Sequence, residues 1–259
     1  MKYALLAGVA AVTLGFAGPA MAGNIALTGH DDDLHCNGGT TGAACTQLSA
    51  LAKFVVNGQA GKSILSIDNG VQLTNSLTAL GFTVVAKTVG SITAADFSNS
   101  LYSAFAVASV STCGGCDNPV GTGTTLAAFS TAIKSFFNAG GGILGLTEAS
   151  DAAGFAYVPQ AVAGTPIFGS SGFVATANGI ADIPGFVAVN GDQTHNTFTS
   201  STGYLVAETS TNDGNAPVTI YLKGATITGT HITAPEPMTL SLLGVGLFGL
   251  GLARRRLRR

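Results

Sequence analysis

Side chains capable of acid–base or metal chemistry follow several apolar runs of this chain. These runs are at residues 24–27, 63–67, 143–146 and 186–189, and the polar residues after them are His30, Asp31, Asp32, Asp33, His35, Asp68, Glu148, Asp192 and His195. If the runs are parallel strands, their carboxyl ends share one edge, where open α/β sheets bind ligands. The spacing therefore predicts one polar cluster at that edge.

The first segment offers both carboxylate oxygens and imidazole nitrogens. Such a set suits zinc, manganese or iron, whereas carboxylates alone suit calcium. The candidate metal ligands are His30, Asp31, Asp33 and His35, and the implied cofactor is a divalent metal of unspecified identity. The segment is not an EF-hand loop, because its sixth position is Cys36 instead of glycine.

A general acid–base pair is the other chemistry that these residues offer. His195 could work with Asp31 or Glu148, and Asp192 lies in the same segment as His195. The candidate catalytic residues are therefore His195, Asp192 and Glu148. The alternative is structural, because Asp and Asn are common in turns and runs of acids are usually solvated.

Four cysteines stand in two close pairs. Three connectivities are possible, and we favour Cys36 with Cys45 and Cys113 with Cys116, since each bond would close a local loop. Cys113 and Cys116 could instead form a redox dithiol or half of a zinc site. A Gly/Thr-rich stretch follows them where a redox motif would open a helix, so a structural disulfide is favoured.

The elements that must position these residues alternate between strands and helices. Apolar spacing predicts strands at 24–27, 63–67, 82–86, 104–110 and 143–146, and helices at 46–56, 71–80 and 125–138. Thr93 to Asp96 resembles a capping box. Beyond residue 147 only strands are predicted, at 172–175, 186–189, 204–206 and 218–222. This order predicts an α/β fold, a three-layer, mostly parallel flavodoxin-like sheet with helices on both faces and added strands near the C-terminus.

The helix, glycine triplet and strand at residues 136–147 resemble a passage of the class I glutamine-amidotransferase-like fold, in particular its ThuA-like branch. The segment Leu27-Thr28-Gly29-His30-Asp31 is similar to the first strand and loop of that fold. The resemblance implies the fold over residues 24–222. It does not imply glutaminase activity, because Thr147 occupies the position of the family's nucleophilic cysteine.

The N-terminus has the parts of a secretory signal peptide. Lys2 precedes an apolar stretch at residues 5–16, and Ala20-Met21-Ala22 has the small-x-small form of a signal-peptidase site. The predicted domains are a signal peptide at 1–22, an exported α/β domain at 23–234 and a tail at 235–259.

The exported part holds five lysines, no arginine and twelve acids, which gives a net charge of about −7. This charge excludes nucleic acid as a partner, since binding to phosphates needs a basic surface.

The tail combines Pro235-Glu236-Pro237, an apolar run at 238–253 and a cluster that contains all five arginines of the chain. This order resembles the PEP-CTERM sorting tail of Gram-negative bacteria. The apolar run would rise about 24 Å as a helix, somewhat short of a bilayer core of about 30 Å, and the arginines should remain cytoplasmic. A plain C-terminal anchor without sorting is the alternative.

The resemblance implies processing by signal peptidase and Sec-type export machinery, transient anchoring in the inner membrane, and handling by an exosortase-type enzyme. The protein would then reside at the cell surface or outside the cell.

Two functions for the exported domain remain open. One is an envelope or matrix component, with exopolysaccharide as a potential partner, and the other is an exported metal-assisted or acid–base hydrolase acting on carbohydrate.

Overall fold

A computed structural model describes residues 22–59, 61–110, 117–146, 153–192, 194–228 and 231–233 of the chain. The predicted signal peptide up to Met21, both Cys113 and Cys116, Glu148 and the tail from residue 234 lie outside these ranges.

The first half of the chain alternates strands with helices. Its elements are β1 (Gly23–Thr28), α1 (Asp32–Cys36), α2 (Ala43–Val56), β2 (Ser63–Ile67), α3 (Gln72–Ala79), β3 (Val84–Lys87), β4 (Tyr102–Val107), α4 (Thr122–Ala127), α5 (Ser130–Asn138) and β5 (Gly142–Gly145). Two 3₁₀ turns, Val89–Ser91 and Ala94–Asp96, lie between β3 and β4. The second turn carries the predicted capping box of Thr93 and Asp96.

The second half is mostly strand. Its elements are β6 (Ala163–Gly169), β7 (Phe173–Ala175), α6 (Ala177–Asp182), β8 (Thr194–Ser200), β9 (Leu205–Ser210), β10 (Ala216–Thr228) and β11 (His231–Thr233), with a 3₁₀ turn at Thr211–Asp213.

The main sheet has the order β3-β2-β4-β5-β1-β10-β9-β7, and β11 pairs with the far end of β10. The first five strands are parallel, and β10, β9 and β7 continue the sheet with antiparallel pairings. A separate small sheet joins β6 to β8. We call the edge where the five parallel strands begin the amino edge, and the edge where they end the carboxyl edge.

Helices cover both faces of the sheet, which confirms the predicted three-layer α/β fold. Along β4, Ala104 and Ala106 belong to the apolar core beneath α2 and α3, whereas Phe105 and Val107 belong to the core beneath α4 and α5. Small side chains on the first face let the helices approach the sheet closely. Large aromatic side chains fill the opposite face, where Phe105 packs near Phe97, Phe136 and Tyr157.

The glycine triplet that leads into β5 is required by backbone conformation and close packing. Gly140 has φ +96°, a conformation that side chains other than glycine rarely adopt. A Cβ on Gly142 would come within 2.0 Å of the carbonyl oxygen of Val55 in α2, so a side chain there would push the helix off the sheet. The triplet that carries the family resemblance therefore has a structural explanation in this chain.

Three predicted elements were wrong in kind. The single helix at 125–138 is two helices, and Gly123 in α4 allows the carbonyl oxygens of residues 153 and 154 to approach its backbone. Residues 186–189 are not a strand, because Val189 N donates to a buried side chain instead of a neighbouring strand. The region after residue 147 does contain a helix, α6, whose first turn is capped by the Thr176 hydroxyl accepting from Gly179 N.

Candidate functional site

The acidic segment after β1 is buried, which overturns the expectation of a solvated run. His30, Asp31, Asp32 and Asp33 are each at most 1% exposed. Asp32 and Asp33 lie in the single-turn helix α1, and Asp31 O accepts from Leu34 N and His35 N at 3.0 and 3.2 Å. The segment is thus packed inside the protein at the carboxyl edge instead of projecting into solvent.

Asp33 connects this segment to the end of β4. Its carboxylate accepts from Ser109 N at 2.9 Å and from Ser109 Oγ at 2.8 Å. Burial nevertheless raises the pKa of Asp33 to about 7, because loss of solvent outweighs these two hydrogen bonds. Both oxygens are used inside the protein, so this predicted metal ligand has a structural role.

Asp32 differs from its neighbours in that neither of its carboxyl oxygens is hydrogen-bonded among the described residues, although the side chain is buried. Burial raises the pKa of Asp32 well above its ordinary value, and the nearby charges of Glu208, Asp31, Asp33 and Asp192 raise it further. The group therefore keeps its proton to higher pH than an ordinary aspartate.

His35 lies between two carboxylates at the boundary with solvent. Its Nε2 is 3.2 Å from Asp31 Oδ1, and its Nδ1 is 3.4 Å from Asp192 Oδ1. The side chains of His35 and Asp192 are 29% and 35% exposed, whereas that of Asp31 is 1% exposed. The hydrogen bond with Asp31 raises the pKa of His35 against the opposing effect of burial, and the charge of Asp192 adds to the rise.

A second buried network surrounds Glu208 of β9. Glu208 Oε2 lies 3.0 Å from His30 Nε2 and accepts from Gln47 Nε2 at 3.1 Å and Thr219 Oγ1 at 2.8 Å. Glu208 Oε1 accepts from Val189 N at 3.0 Å. This network joins β1, α2, β9 and β10, so His30 contributes to the packing of the sheet centre.

Glu208 and Gln47 were not predicted as members of the cluster. Glu208 is an isolated acid within the predominantly apolar and hydroxyl sequence of β9, and Gln47 is a polar residue on the buried face of an amphipathic helix. A polar side chain in an otherwise buried position is the sequence signal that could have identified both, since such groups need hydrogen-bond partners.

The later segment also approaches the first loop. Asn196 N donates to Gly29 O at 3.2 Å, and a Cβ on Gly29 would come within 1.9 Å of Asn196 O. The backbone of the neighbouring residue His195, in β8, therefore runs beside the first loop, but its side chain is not described. Glu148 lies outside the described residues, so its predicted partnership with His195 stays a prediction.

The ends of β2 and β4 are occupied by structural polar groups. Asp68 accepts from Gly70 N, Val71 N and Thr74 N at the start of α3. Asn118 Nδ2 donates to Ile67 O and Ala108 O, which ties these two strand ends together. Asp68 is therefore a helix-capping residue in this structure.

The Cys36–Cys45 disulfide is present, as the sequence predicted. It joins α1 to α2 across a Cα–Cα distance of 4.7 Å. The helix that holds Asp32, Asp33 and His35 is thereby attached to the helix that holds Gln47. Cys113 and Cys116 lie outside the described residues, and their pairing stays a prediction.

The metal hypothesis receives no support from the described ranges, which contain no group of three or more His, Cys, Asp or Glu side chains able to hold a metal ion. Of the predicted ligands, His30 Nε2 and both Asp33 oxygens contact protein groups, and Asp31 and His35 contact each other. What the arrangement offers is acid–base chemistry, with an imidazole of raised pKa and a carboxylate that both reach solvent.

No protein-family model, no curated protein and no solved structure matches this chain.

Proposed function

We propose that this chain is an exported cell-envelope or extracellular-matrix protein, sorted through a PEP-CTERM tail by an exosortase-type enzyme. The observation that carries the proposal is the order of three parts at the C-terminus: Pro235-Glu236-Pro237, the apolar run at 238–253 and the arginine cluster. The small-x-small site at Ala20-Met21-Ala22 is consistent with Sec-type export and cleavage by signal peptidase.

The Cys36–Cys45 disulfide supports export. Disulfides persist in oxidising compartments and are uncommon in the reducing cytosol. The part of the chain that the structure describes contains no helix long and apolar enough to cross a membrane. The predicted anchor at 238–253 lies outside that part.

For the main domain, we propose a glutamine-amidotransferase-like fold of the ThuA-like branch that lacks the nucleophile. The Gly140–Gly142 triplet between α5 and β5 and the parallel β1 beside β5 support the likeness. With Thr147 in place of the cysteine, the domain would serve as a stable surface module, and exopolysaccharide is the partner we propose for it.

The sorting proposal is tested by replacing Pro235, Glu236 and Pro237 with alanine in the native host. The variant should reach the inner membrane but remain as the full-length anchored form, whereas the unmodified protein yields a shortened product on a gel. The control is Thr239→Ala with Ser241→Ala, which changes the tail but keeps the tripeptide and the apolar run. The same shortened product from the tripeptide variant would contradict sorting and leave a plain anchor.

An exported acid–base hydrolase acting on carbohydrate is the second candidate. The contact of half-exposed His35 with Asp31 and Asp192 favours it, because a protonated imidazole can donate a proton while a neighbouring carboxylate accepts one. Asp31 and Asp192 both contact His35, which the sequence suggested as a metal ligand and not as an acid or base.

This candidate predicts turnover of a panel of polysaccharides by the exported protein, reduced about 100-fold or more in His35→Gln, as is typical for loss of a general acid or base. Asp182→Asn, at the opposite edge of the sheet, should retain full turnover. Absence of turnover in the unmodified protein, or full turnover in His35→Gln, would reject the candidate.

A further inference from the structure

Three of the five lysines of the exported domain lie at the amino edge of the sheet. Lys53 is in the last turn of α2, Lys62 directly precedes β2, and Lys223 lies on β10 beside the start of β1. Lys53 and Lys223 line one cleft of about 400 Å³ together with Asn24, Asn57 and Asp182. We call the three lysines the lysine edge.

The lysine edge keeps a positive charge within an acidic domain. Lys223 Nζ is 2.6 Å from Asp182 Oδ1, and this pair is neutral as a unit. Lys62 Nζ donates to Gln59 Oε1 and Asn99 O, which carry no charge. Within the described ranges, neither Lys53 nor Lys62 forms an ion pair with a carboxylate.

Acidic groups gather at the opposite end of the molecule. The first loop, with Asp31 to Asp33, follows the end of β1, Asp68 follows the end of β2, and Glu208 pairs in register with Thr219 near the end of β1. The described domain is thus polarised along its strands. Buried acids lie at the carboxyl edge, and the amino edge carries the Lys223–Asp182 pair together with Lys53 and Lys62, which form no ion pair within the described ranges.

Both ends of the exported domain leave it at the amino edge. Gly23, the predicted mature start, pairs with Ala225 at the beginning of β1. Thr233, the last described residue, pairs with Thr226, the next residue of β10. The last described residue before the tail therefore lies at the same edge as the lysines.

The connection between domain and anchor is short. Only residues 234–237 separate Thr233 from the apolar run that begins at Met238. Five peptide steps span at most about 17 Å when fully extended. This connection lets the near edge of the domain approach the bilayer within the screening length of about 8 Å, where its charges feel a charged surface.

From these observations we propose that the lysine edge docks on anionic lipid headgroups while the tail anchors the protein. This inference rests on the proposed membrane anchor. Attraction of Lys53 and Lys62 to the bilayer favours this orientation. The acidic edge, with His35 and Asp192, then faces away from the membrane.

The test uses the full chain in lipid nanodiscs and measures backbone hydrogen exchange. In nanodiscs containing phosphatidylglycerol, segments 57–62 and 222–226 should exchange more slowly than in phosphatidylcholine nanodiscs, and 0.5 M salt should abolish the difference. Lys53→Gln with Lys62→Gln should reduce this slowing at least fivefold, since each lysine near an anionic surface contributes about that factor. The control pair, Lys87→Gln with Lys134→Gln, removes the same charge elsewhere and should retain the slowing.

Equal exchange in the two lipids, or equal loss in the test and control pairs, would overturn the docking surface while leaving the anchor intact. Failure of the full chain to enter nanodiscs would overturn the anchor and the docking surface together. Protection of the same segments by polygalacturonate, without any effect of phosphatidylglycerol, would assign the lysine edge to an acidic polysaccharide and overturn the lipid proposal.

Discussion

Asp32 is a buried carboxyl group whose two oxygens have no hydrogen-bond partner among the described residues. Burial and four neighbouring carboxyl groups raise its pKa well above the ordinary value. In the unfolded chain this group ionises near pH 4, while in the folded protein it keeps its proton to higher pH. Stability therefore falls as pH rises through the interval between the two pKa values.

Asp32→Asn is expected to remove this pH dependence. Over the pH interval in which only the folded state keeps this proton, each unit by which pH rises lowers the free energy of unfolding by about 1.4 kcal/mol. The variant should match the unmodified protein near pH 4 and become progressively more stable than it toward neutral pH, because asparagine does not ionise. Urea unfolding measured at intervals from pH 4 to 8 checks this.

Asp182→Asn is the control for Asp32→Asn. The contacts of Asp182 with Lys223 and Tyr221 lower its pKa, so its contribution to stability is present above pH 4 and is lost as pH falls. The two variants should thus change the pH profile in opposite directions. Parallel profiles for Asp32→Asn and the unmodified protein would show that Asp32 is ionised in the fold.

The residues of the carboxyl edge show what sequence can and cannot reveal. His30, Asp31 and His35 follow the end of β1, as their position after an apolar run predicted, whereas Asp192 reaches His35 from a segment that is not a strand. Their contacts could not be predicted, since Glu208 and Gln47 enter from β9 and α2. Burial of three consecutive aspartates depends on those tertiary partners and on α1.

At the level of elements, the disulfide between α1 and α2 holds the acidic segment in place. α1 has only five residues and carries no side-chain cap, so little within the helix itself stabilises it. Cys36 and Cys45 are nine residues apart, and both are buried. The bond therefore fixes a short helix that bears Asp32, Asp33 and His35.

Cys45→Ser should free the Cys36 thiol and lower the free energy of unfolding by about 2.5–3 kcal/mol, the value expected for closing a loop of this length. Thiol labelling of the denatured protein and urea unfolding measure the two effects. Ser49→Ala, one helical turn further along α2, should leave both unchanged. If Cys45→Ser shows no additional labelled thiol, the Cys36–Cys45 pairing is contradicted.

Elements with strong local signals were predicted well, and those stabilised by distant contacts were not. β2 has the predicted limits, and α2 and α3 differ from the predicted helices by at most three residues at either end, since their apolar spacing is regular. β6 and β8 were missed because they pair only with each other in a small separate sheet. Residues 186–189 look like a strand, but Gln47 and Glu208 bind their backbone groups instead.

At the scale of the whole molecule, the lysines and the buried acids are separated along the direction of the parallel strands. The parallel strands run from an edge with three lysines, Gly23 and Thr233 to an edge with the buried acids, His35 and Asp192. The α/β class followed from the alternation of helices and strands. The polarity of the charges could be recognised only after the antiparallel β10 had placed Lys223 beside the start of β1.

The position of β10 between β1 and β9 has a consequence for biogenesis. Thr28 and Thr219, which share a hydrogen bond in the sheet centre, are 191 residues apart in the chain. The centre of the sheet cannot close until nearly the whole domain has been synthesised, and pairings of such long range fold slowly. In the proposed Sec-type export the chain would cross a narrow channel unfolded, and this late closure would keep the polypeptide competent for threading. Folding would then finish only after β10 has emerged, shortly before the proposed anchor at 238–253.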